Sequence, residues 1–428
     1  MHDRRLQYNE GRDNKAGCES LRVPDHETPA HVFRLSQPES YTSFTDLQGT
    51  YNTMSDKNET EQPSSAAQGT VEASASHESP PPAAEAGPAE ASHSSGILPP
   101  QHWQQAAINA DETIDADSAL GDNNSSTASI TSSILKYRTI LGRTFHSEQG
   151  DAHYWGANDE RQNEAMDINH HCQTLRLDGK LFLAPLSNDI TNAVDIGTGT
   201  GVWAIDFADD FPGCEVIGTD ISPIQPSWIP PNLQFQIDDC TKEWTFPEDS
   251  LDYVHIRFLT GCIADWDALM KEAYRCLKPG GYIESMEPSA NIQSDDDTVE
   301  PDSAMGQWGK IFVEGGIKMG RTFTVVEDEL QNKALRKAGF VDIKEQKHKS
   351  PIGSWPKDEK LREIGQYAQL SMEQDFEGLI LFMTNVLGGW SREEIQVYVA
   401  HLRREIRSGK KHGWYWQKVV WARKPDSA

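Results

Sequence analysis

The sequence predicts an α/β fold with an open, mostly parallel sheet, and three observations support this prediction. Short apolar segments at residues 192–196, 214–219 and 251–256 have the length and pattern of buried strands. Amphipathic segments with helical spacing lie between them, as in strand–helix–strand units. A glycine-rich turn joins the first of these strands to the first helix. Together these features predict a Rossmann-like sheet that holds a ligand at the carboxyl ends of its strands.

The chain divides into an acidic leader and a folded part. It has 428 residues and a formal net charge of −27, from 39 basic and 66 acidic residues. Residues 54–134 are rich in Ser, Ala, Glu and Pro, and we expect them to be disordered because they cannot bury enough apolar surface. Residues 1–53 show no periodicity, and since Met54 begins an ordinary N-terminal sequence we interpret them as a gene-model extension. We expect one folded domain at residues 135–428, with a ligand-binding core at residues 190–290.

The charge and the apolar pattern exclude several function classes. A strongly acidic chain without a basic patch disfavours binding to nucleic acid through phosphates and binding to an anionic membrane surface. The longest apolar stretch is too short to span a bilayer, and the N-terminus lacks the apolar core of a secretory signal. The six cysteines are scattered, which is typical of reduced thiols. We therefore expect a cytoplasmic or nuclear protein that is not secreted.

The glycine-rich turn, in the segment NAVDIGTGTG, distinguishes between the known nucleotide-binding motifs. The dinucleotide pattern G-x-G-x-x-G would need a glycine where Val202 stands, and no Gly-Lys-Ser/Thr ending supports a phosphate-binding loop. Asp195 precedes the first glycine by two residues, and Asp220 ends the next strand 19 residues beyond Gly201. The arrangement D-x-G-x-G-x-G resembles the first motif of class I methyltransferases, which use S-adenosylmethionine.

The residue types of this motif match the chemistry of that cofactor. Gly197 and Gly199 have no side chain, so the backbone can approach the methionine portion closely. S-adenosylmethionine carries a sulfonium and an ammonium group, for which the carboxylate of Asp195 is a suitable neighbour. Asp220 can accept hydrogen bonds from both ribose hydroxyls. A glycine turn and a strand-end aspartate also occur in open sheets that bind no cofactor, so the downstream segments decide between the two interpretations.

Three downstream motifs follow in the expected order. The strand at residues 233–237 ends in the run DDC at 238–240, where this fold brings a carboxylate and a backbone amide to the adenine edge. The strand LDYVHI is followed by Arg257. A helix at residues 266–277 then leads into K-P-G-G and the strand YIESME. The sequence L-K-P-G-G before a strand is typical of class I methyltransferases.

The segments VDIGTGTGVWAIDFAD, VIGTDISPIQPSWIPPN, DDCTKEWTF, DYVHIRFLTG and CLKPGGYIE closely resemble the LaeA-like methyltransferases of filamentous fungi, over about residues 118–425. The resemblance implies a class I methyltransferase fold, a Rossmann-like seven-stranded sheet whose last strand is antiparallel, with helices inserted near the C-terminus. It also implies S-adenosylmethionine as the cofactor, bound by residues of the loop and the strand ends: Asp195, Gly197, Thr198, Gly199, Gly201, Asp220, Ile221, Asp238, Asp239, Cys240 and His255.

Members of this family are either tailoring enzymes of biosynthetic clusters or regulators of secondary metabolism, some of them with velvet proteins in the nucleus. The resemblance therefore implies an S-adenosylmethionine-dependent methyltransferase of fungal secondary metabolism, which we predict to act on a small-molecule acceptor. The alternative is a LaeA-type regulator in a velvet-like protein complex, with protein or self methylation. The complete set of acidic and glycine residues fits both functions.

The sequence also predicts the role or the structure of two further regions. The segment AHYWGANDERQNEAMDINHH at residues 152–171 departs from the family pattern, since Gly156-Ala157 replaces its proline region. We expect this segment to cap the cofactor and substrate pocket, which leaves the choice of substrate open. After a helix at residues 326–338, we expect a strand, two or three helices within residues 357–408, and a final strand at 412–425.

The sequence does not identify a catalytic residue. Methyl transfer is an in-line displacement, so positioning of the acceptor can supply most of the catalysis, and a base is needed only if the acceptor loses a proton. His255 could be that base, although packing beside the cofactor is the preferred interpretation. His153 and Tyr154 are further candidates that are better explained as structural contacts. The run His170-His171-Cys172 has no second cluster, so we expect no metal site.

Overall fold

The structure, a computed structural model, describes residues 96–108, 137–147 and 154–426. The interpretation of residues 1–53 and most of the predicted disordered region lie outside the described residues, as does the candidate His153. None of the described helices is long and apolar enough to cross a membrane.

The described residues form helices and strands that alternate through the first half of the domain and become mainly helical in the second. In chain order they are α1 (Pro100–Ile108), β1 (Arg138–Ile140), β2 (Arg143–Phe145), α2 (Glu160–Arg176), β3 (Asn192–Ile196), α3 (Val202–Asp210), β4 (Glu215–Asp220), β5 (Leu233–Ile237), β6 (Leu251–Arg257), α4 (Trp266–Cys276), β7 (Leu277–Pro288), α5 (Ala304–Met319), α6 (Leu330–Ala338), β8 (Val341–Pro351), α7 (Glu359–Gln374), α8 (Phe376–Leu387), α9 (Arg392–Arg407) and β9 (Trp414–Arg423).

Seven of these strands form one sheet in the order β5-β4-β3-β6-β7-β9-β8. The strands from β3 to β7 pair in parallel, and β9 runs antiparallel to both β7 and β8. The structure therefore confirms the predicted seven-stranded sheet with an antiparallel last strand. From β3 the chain proceeds outward to β4 and β5, and then returns to β6 on the other side of β3. Such a reversal leaves a crevice at the carboxyl ends of β3 and β6, where open α/β sheets bind ligands.

Helix α3 buries a different face from the one that the sequence predicts. Spacing places Val202, Ile205 and Ala208 together, but Val202 and Ile205 are only partly buried, whereas Trp203 and Phe207 are fully buried. Both aromatic rings stack on each other, with centroids 4.8 Å apart. Because apolar residues occur on more than one face of this helix, the two large aromatic side chains, which bury the most area, decide its orientation.

The C-terminal half follows the predicted order and adds one helix. Residues 357–408 contain three helices, α7 to α9, and β9 completes the sheet. Helix α5 was not anticipated by the sequence analysis, although Ser303 caps it by accepting a hydrogen bond from the N–H of Gly306. Helices α5, α8 and α9 share an apolar core that is separate from the core under β3 and β6. Residues of α5 and α8 lie above the carboxyl edge of the sheet.

Helix α1 lies within the segment that the sequence predicts to be disordered. Trp103 is 3% exposed, and its ring packs edge to face against Tyr398 of α9 at 5.1 Å. The ring of His401 lies 3.0 Å from the carbonyl oxygen of Trp103. The structure differs from the prediction at these residues because one tryptophan finds a partner surface 298 residues further along the chain, which local composition does not reveal.

Candidate functional site

A cavity of about 300 Å³ lies at the carboxyl ends of β3, β4, β5 and β6. Its floor is the glycine loop, and its cover is formed by residues of α2, α5 and α8. Asp195, Gly201 and His255 are not part of the cavity wall. The remaining eight of the sequence-predicted cofactor residues line it: Gly197, Thr198, Gly199, Asp220, Ile221, Asp238, Asp239 and Cys240.

The glycine loop between β3 and α3 requires its glycines for backbone reasons. The φ angles of Gly197, Gly199 and Gly201 are 70°, 59° and 82°, in the left-handed region that side chains disfavour. At Gly201 a Cβ atom would also collide with the ring of Phe235. Gly201 therefore lets α3 pack against β5, whereas Gly197 and Gly199 present their backbone to the cavity.

Asp195 lies beneath this loop and holds its shape. The side chain is 3% exposed, and its Oδ2 accepts a hydrogen bond of 2.6 Å from the hydroxyl of Thr198. Its Oδ1 lies 2.7 Å from Nδ1 of His255. Because both carboxylate oxygens already bind protein donors, Asp195 acts on the cavity through loop geometry and negative charge, without reaching the cavity wall.

His255 is a buried packing residue beside Asp195. It is 1% exposed, and its imidazole stacks on the indole of Trp203 with centroids 3.6 Å apart and planes at 7°. Burial lowers the pKa of His255, and the Asp195 carboxylate only partly opposes this. A neutral ring that donates Nδ1–H to Asp195 and lies outside the cavity wall favours the packing interpretation over a general base.

Asp220 lies at the end of β4 and faces the cavity. Its Oδ2 accepts the N–H of Gly199 at 2.8 Å, and its Oδ1 accepts the N–H of Ser222 at 2.9 Å. Each oxygen retains a lone pair, so the carboxylate can accept two further hydrogen bonds from a ligand. Burial raises the pKa of Asp220 to about 6, although the two amides oppose it. The buried hydroxyl oxygen of Ser222 has no partner among the described residues.

Asp238 and Asp239 follow β5 and form the next part of the wall. Asp239 Oδ1 accepts hydrogen bonds from the N–H and the hydroxyl of Thr241, at 3.0 and 2.6 Å. The N–H of Asp238 donates to the carbonyl oxygen of Asp220 at 3.0 Å, which ties the two strand ends together. Cys240 is fixed by its carbonyl oxygen, which accepts the indole N–H of Trp244 at 3.0 Å. Carboxylates therefore dominate this end of the cavity.

Residues of the segment that the sequence predicts to cap the pocket, among them Tyr154 and Trp155, line the cavity. The indole N–H of Trp155 donates to the carbonyl oxygen of Thr260 at 3.0 Å, which fixes the segment to the loop after β6. The hydroxyl of Tyr154 lies 3.8 Å from Sδ of Met166. Burial raises the pKa of Tyr154, so its phenol is neutral at physiological pH. Tyr154 therefore lines the cavity as a neutral side chain.

Arg143, Asp159 and Asp375 form a charged cluster that sequence reasoning missed, and we name it the Arg143 clamp. The guanidinium donates to both oxygens of Asp159, at 2.5 and 2.6 Å, and to both oxygens of Asp375, at 2.8 and 2.7 Å. Asp159 is the N-cap of α2 and Asp375 is the N-cap of α8. The clamp therefore fixes the start of two helices that cover the cavity, and no local sequence signal indicates it.

Beyond the glycine loop and Arg257, the cavity is mostly apolar. Two buried amides also line the cavity, Asn158 and Gln162, which are 6% and 4% exposed. Among the described residues, neither polar atom of the Asn158 amide nor Oε1 of Gln162 has a partner. Unpaired buried amides are costly, so these atoms are suited to bind a ligand. The apolar wall consists of aromatic and aliphatic side chains: Trp155, Ile292, Trp308, Phe312, Phe323, Ile352 and Leu379.

The run His170-His171-Cys172 points to three different places. The Nε2 atom of His170 lies 2.9 Å from a carboxylate oxygen of Asp206. The ring of His171 packs against Tyr367 at 4.5 Å, and Cys172 is buried between α2 and α7. Within the part of the chain that the structure describes, no group of three His, Cys, Asp or Glu residues could hold a metal ion.

Comparison with known proteins assigns the chain to a family. The family described as Methyltransferase domain matches residues 168–345. The methyltransferase pytC of Aspergillus terreus is 35% identical over 313 residues, which cover 73% of this chain and 95% of pytC. The secondary metabolism regulator LAE1 of Cochliobolus heterostrophus is 32% identical over 291 residues, covering 67% and 94% of the two chains.

The chain is also similar to two further proteins. The probable methyltransferase tdiE of Emericella nidulans is 31% identical over 267 residues, covering 62% of this chain and 82% of tdiE. The solved structure of phosphoethanolamine N-methyltransferase 2 from Haemonchus contortus with S-adenosyl-L-methionine covers 62% of this chain and 53% of that protein, at 20% identity and a TM-score of 0.35. The extent and identity of the matches to pytC and LAE1 agree with the motifs and the sheet order. The chain therefore belongs to the LaeA-like family of class I methyltransferases, which use S-adenosylmethionine.

Proposed function

We propose that this methyltransferase acts on a small-molecule acceptor of fungal secondary metabolism, in the cytoplasm or the nucleus. The observation that carries the proposal is the apolar half of the cavity next to the glycine loop. Among the described residues, the charged side chains that line the cavity are Asp220, Asp238, Asp239 and Arg257. The three carboxylates lie at the ends of β4 and β5, and Arg257 lies beside the glycine loop at the end of β6. The apolar part of the cavity beyond these charged residues suits an uncharged molecule.

The cofactor fits the polar half of the cavity. Asp220 has two lone pairs available for the ribose hydroxyls, and the unpartnered hydroxyl of Ser222 lies beside it. Gly197 and Gly199 leave the backbone open to the methionine portion. Asp238 and Asp239, which line the cavity after β5, are the proposed partners of the adenine edge. When bound, S-adenosylmethionine supplies a methyl group that is activated by the positive sulfur.

The chain contributes positioning and the exclusion of water. Trp308 and Phe312 form an aromatic wall that can orient a flat apolar acceptor. Asn158 and Gln162 can bind its polar groups, since their amide atoms are buried without partners in the described structure. Holding the acceptor close to the methyl carbon can supply much of the barrier reduction.

A strong general base is not part of this arrangement. No histidine, lysine or glutamate is among the described residues that line the cavity. Burial keeps Tyr154 neutral, because it raises the pKa of the phenol. An acceptor that ionises readily, such as an acidic hydroxyl, or one that attacks through a free lone pair, fits these surroundings.

A LaeA-type regulator in a velvet-like complex, with protein or self methylation, is the second candidate. The identity of 32% to LAE1, which is named as a regulator of secondary metabolism, is close to the 35% shared with the methyltransferase pytC. The cofactor residues serve either function. Isolation of the protein from its own cells with bound partners distinguishes the two, because stoichiometric velvet-type partners would favour the regulator.

The proposal is tested in cells with three strains: wild type, a strain without the gene, and a strain with Asp220→Ala. We expect both altered strains to accumulate the same metabolite, which lacks one methyl group of the wild-type product. A metabolite profile of the Asp220→Ala strain that equals the wild type would contradict the enzyme proposal. Loss of many chemically unrelated metabolites in both altered strains would favour the regulator instead.

A further inference from the structure

Arg257 ends β6 and lines the cavity beside the glycine loop. In the parallel register of β3 and β6, Ile256 lies opposite Ile196. The next position along each strand places Arg257 level with Gly197, where the loop begins. Among the described residues, Arg257 is the cation that lines the cavity. It therefore lies on the other side of the glycine loop from Asp220, which ends β4.

The guanidinium of Arg257 lacks an ion-pair partner in the described structure. Both of its terminal nitrogens lie 3.3 Å from Nδ1 of His170, and no carboxylate of a described residue pairs with it. His170 in turn lies 2.9 Å from Asp206 through Nε2, so Nδ1 is left as the acceptor for Arg257. Burial lowers the pKa of Arg257, although the more distant carboxylates of Asp195 and Asp206 oppose this.

This arrangement leaves most of the binding capacity of the guanidinium unused. An arginine has five N–H donors, and its flat fork matches the two oxygens of a carboxylate. A partly buried cation without a counter-ion is costly, so such a group is retained where a ligand supplies the negative charge. One side of the guanidinium faces the cavity, because His170 of α2 covers the other side.

The order of the strands determines which part of the cofactor reaches Arg257. Carboxylates stand at the ends of β4 and β5, at the proposed nucleoside end, and the glycine loop of β3 separates them from Arg257 on β6. A ligand whose ribose binds Asp220 and which crosses the loop extends toward Arg257. The cavity is therefore negative where the nucleoside hydroxyls bind and positive at the opposite side of the loop.

We propose that Arg257 binds a ligand carboxylate, and that this carboxylate is the one on the amino-acid portion of S-adenosylmethionine. The inference rests on the proposed placement of the ribose at Asp220. It does not depend on the identity of the acceptor. A carboxylate on the acceptor has the same chemistry, and the experiment separates the two sources.

The test is isothermal titration calorimetry with two ligands, S-adenosylhomocysteine and 5′-methylthioadenosine. Both contain the adenosine and the sulfur, but the second lacks the amino-acid portion. In Arg257→Met we expect the affinity for S-adenosylhomocysteine to fall about 30-fold, the effect of one lost charge-assisted contact, and the affinity for 5′-methylthioadenosine to stay within about threefold. Asp220→Ala is the matched control, and it should weaken both ligands because both retain the ribose.

Three results would overturn the proposal. Unchanged affinity of Arg257→Met for S-adenosylhomocysteine would assign Arg257 to the acceptor or to the fold. An equal loss for both ligands would show that Arg257 only shapes the pocket. Failure of both ligands to bind the wild type would reject the proposed ribose site and this inference together, whereas the first two results leave the proposed function intact.

Thermal unfolding of the ligand-free protein gives an independent readout. Because Arg257→Met removes an unpaired cation and keeps a similar volume, its melting temperature should equal or exceed that of the wild type. A structural arginine would show a clear decrease, and this would contradict a role in ligand binding. Arg257→Lys should recover part of the affinity for S-adenosylhomocysteine, since it restores the charge without the fork.

Discussion

The polar and apolar halves of the cavity are built from contacts of different range in the sequence. In the polar half, Asp195 binds Thr198 three residues away, and Asp220 binds the amides of Ser222 and Gly199, two and 21 residues away. The cover of the apolar half depends on contacts across 105 residues, between Trp155 and Thr260, and across 232 residues, in the Arg143 clamp.

This difference suggests that the two halves of the cavity can change separately. The proposed cofactor site consists of one loop and three strand ends, so changes in the distant helices above it need not alter it. The cover, with α5, α8 and the start of α2, can then be adapted to another acceptor without disturbing the Asp220 site. The variants below test whether the two halves respond independently.

The largest effect is expected from Arg143→Met, which breaks the Arg143 clamp. Asp159 and the fully buried Asp375 would each lose the guanidinium, and the free energy of unfolding should fall by about 3–5 kcal/mol, as for other broken buried charge networks. Urea denaturation measures this change. Arg161→Met is the matched control: Arg161 also contacts Asp375, at 3.4 Å, but its side chain is 46% exposed. The control should cost about 1 kcal/mol or less, and equal effects of both variants would contradict the clamp.

Asp220→Ala tests the polar half. We expect the affinity for S-adenosylhomocysteine to fall about 100-fold, because two hydrogen bonds to a charged acceptor are lost. Calorimetry measures the affinity, and Asp210→Ala at the exposed end of α3 is the control that should leave it unchanged. Unchanged affinity in Asp220→Ala would refute the assignment of this carboxylate to the ribose.

The raised pKa of Asp220 predicts a pH dependence of cofactor binding. Hydroxyl donors need the ionised carboxylate, and in the free protein this form predominates only above the pKa of about 6. The affinity should therefore be constant above about pH 7 and should fall up to about 10-fold for each pH unit below 6. Calorimetric titrations from acidic to neutral pH measure this, and Asp220→Ala should show no such step. A step of the same size in the variant would mean that another group titrates.

The smallest effect is expected from His255→Gln, which removes the stack on Trp203 but can still donate to Asp195. The free energy of unfolding should fall by about 1–2 kcal/mol, and the affinity for S-adenosylhomocysteine should stay within about threefold. Once an acceptor is identified, turnover should be retained. Complete loss of turnover with an intact fold would restore His255 as the general base.

The sequence predicts the sheet and most of the polar half because their signals are contiguous. The spacing from Asp195 through the glycines to Asp220 contains both the turn and the acidic strand end in one short segment. The same signals do not distinguish a residue on the cavity wall from one beneath it. Gly201 and His255 lie beneath the wall, and only the packing against Phe235 and Trp203 reveals this.

The features that the sequence does not predict depend on contacts between residues that are far apart in the chain. Arg143 lies in a short strand without a distinctive pattern. Its partners Asp159 and Asp375 are N-caps of helices, and this local role gives no indication that they also bind Arg143. Trp103 lies in a low-complexity region, yet its buried ring packs against Tyr398 of α9. The sequence shows an arginine at the end of β6, but its neighbours in the sequence do not reveal that Arg257 lacks a counter-ion among the described residues.

The central claim is that a small molecule receives the methyl group, and transfer of an isotopic label tests it most directly. The purified chain is incubated with S-adenosylmethionine labelled in its methyl group and with a metabolite extract of the strain that lacks the gene. The account predicts that label appears in a low-molecular-mass product, and that Asp220→Ala strongly reduces it. Label found only in protein, in this chain or in a bound partner, would contradict the account.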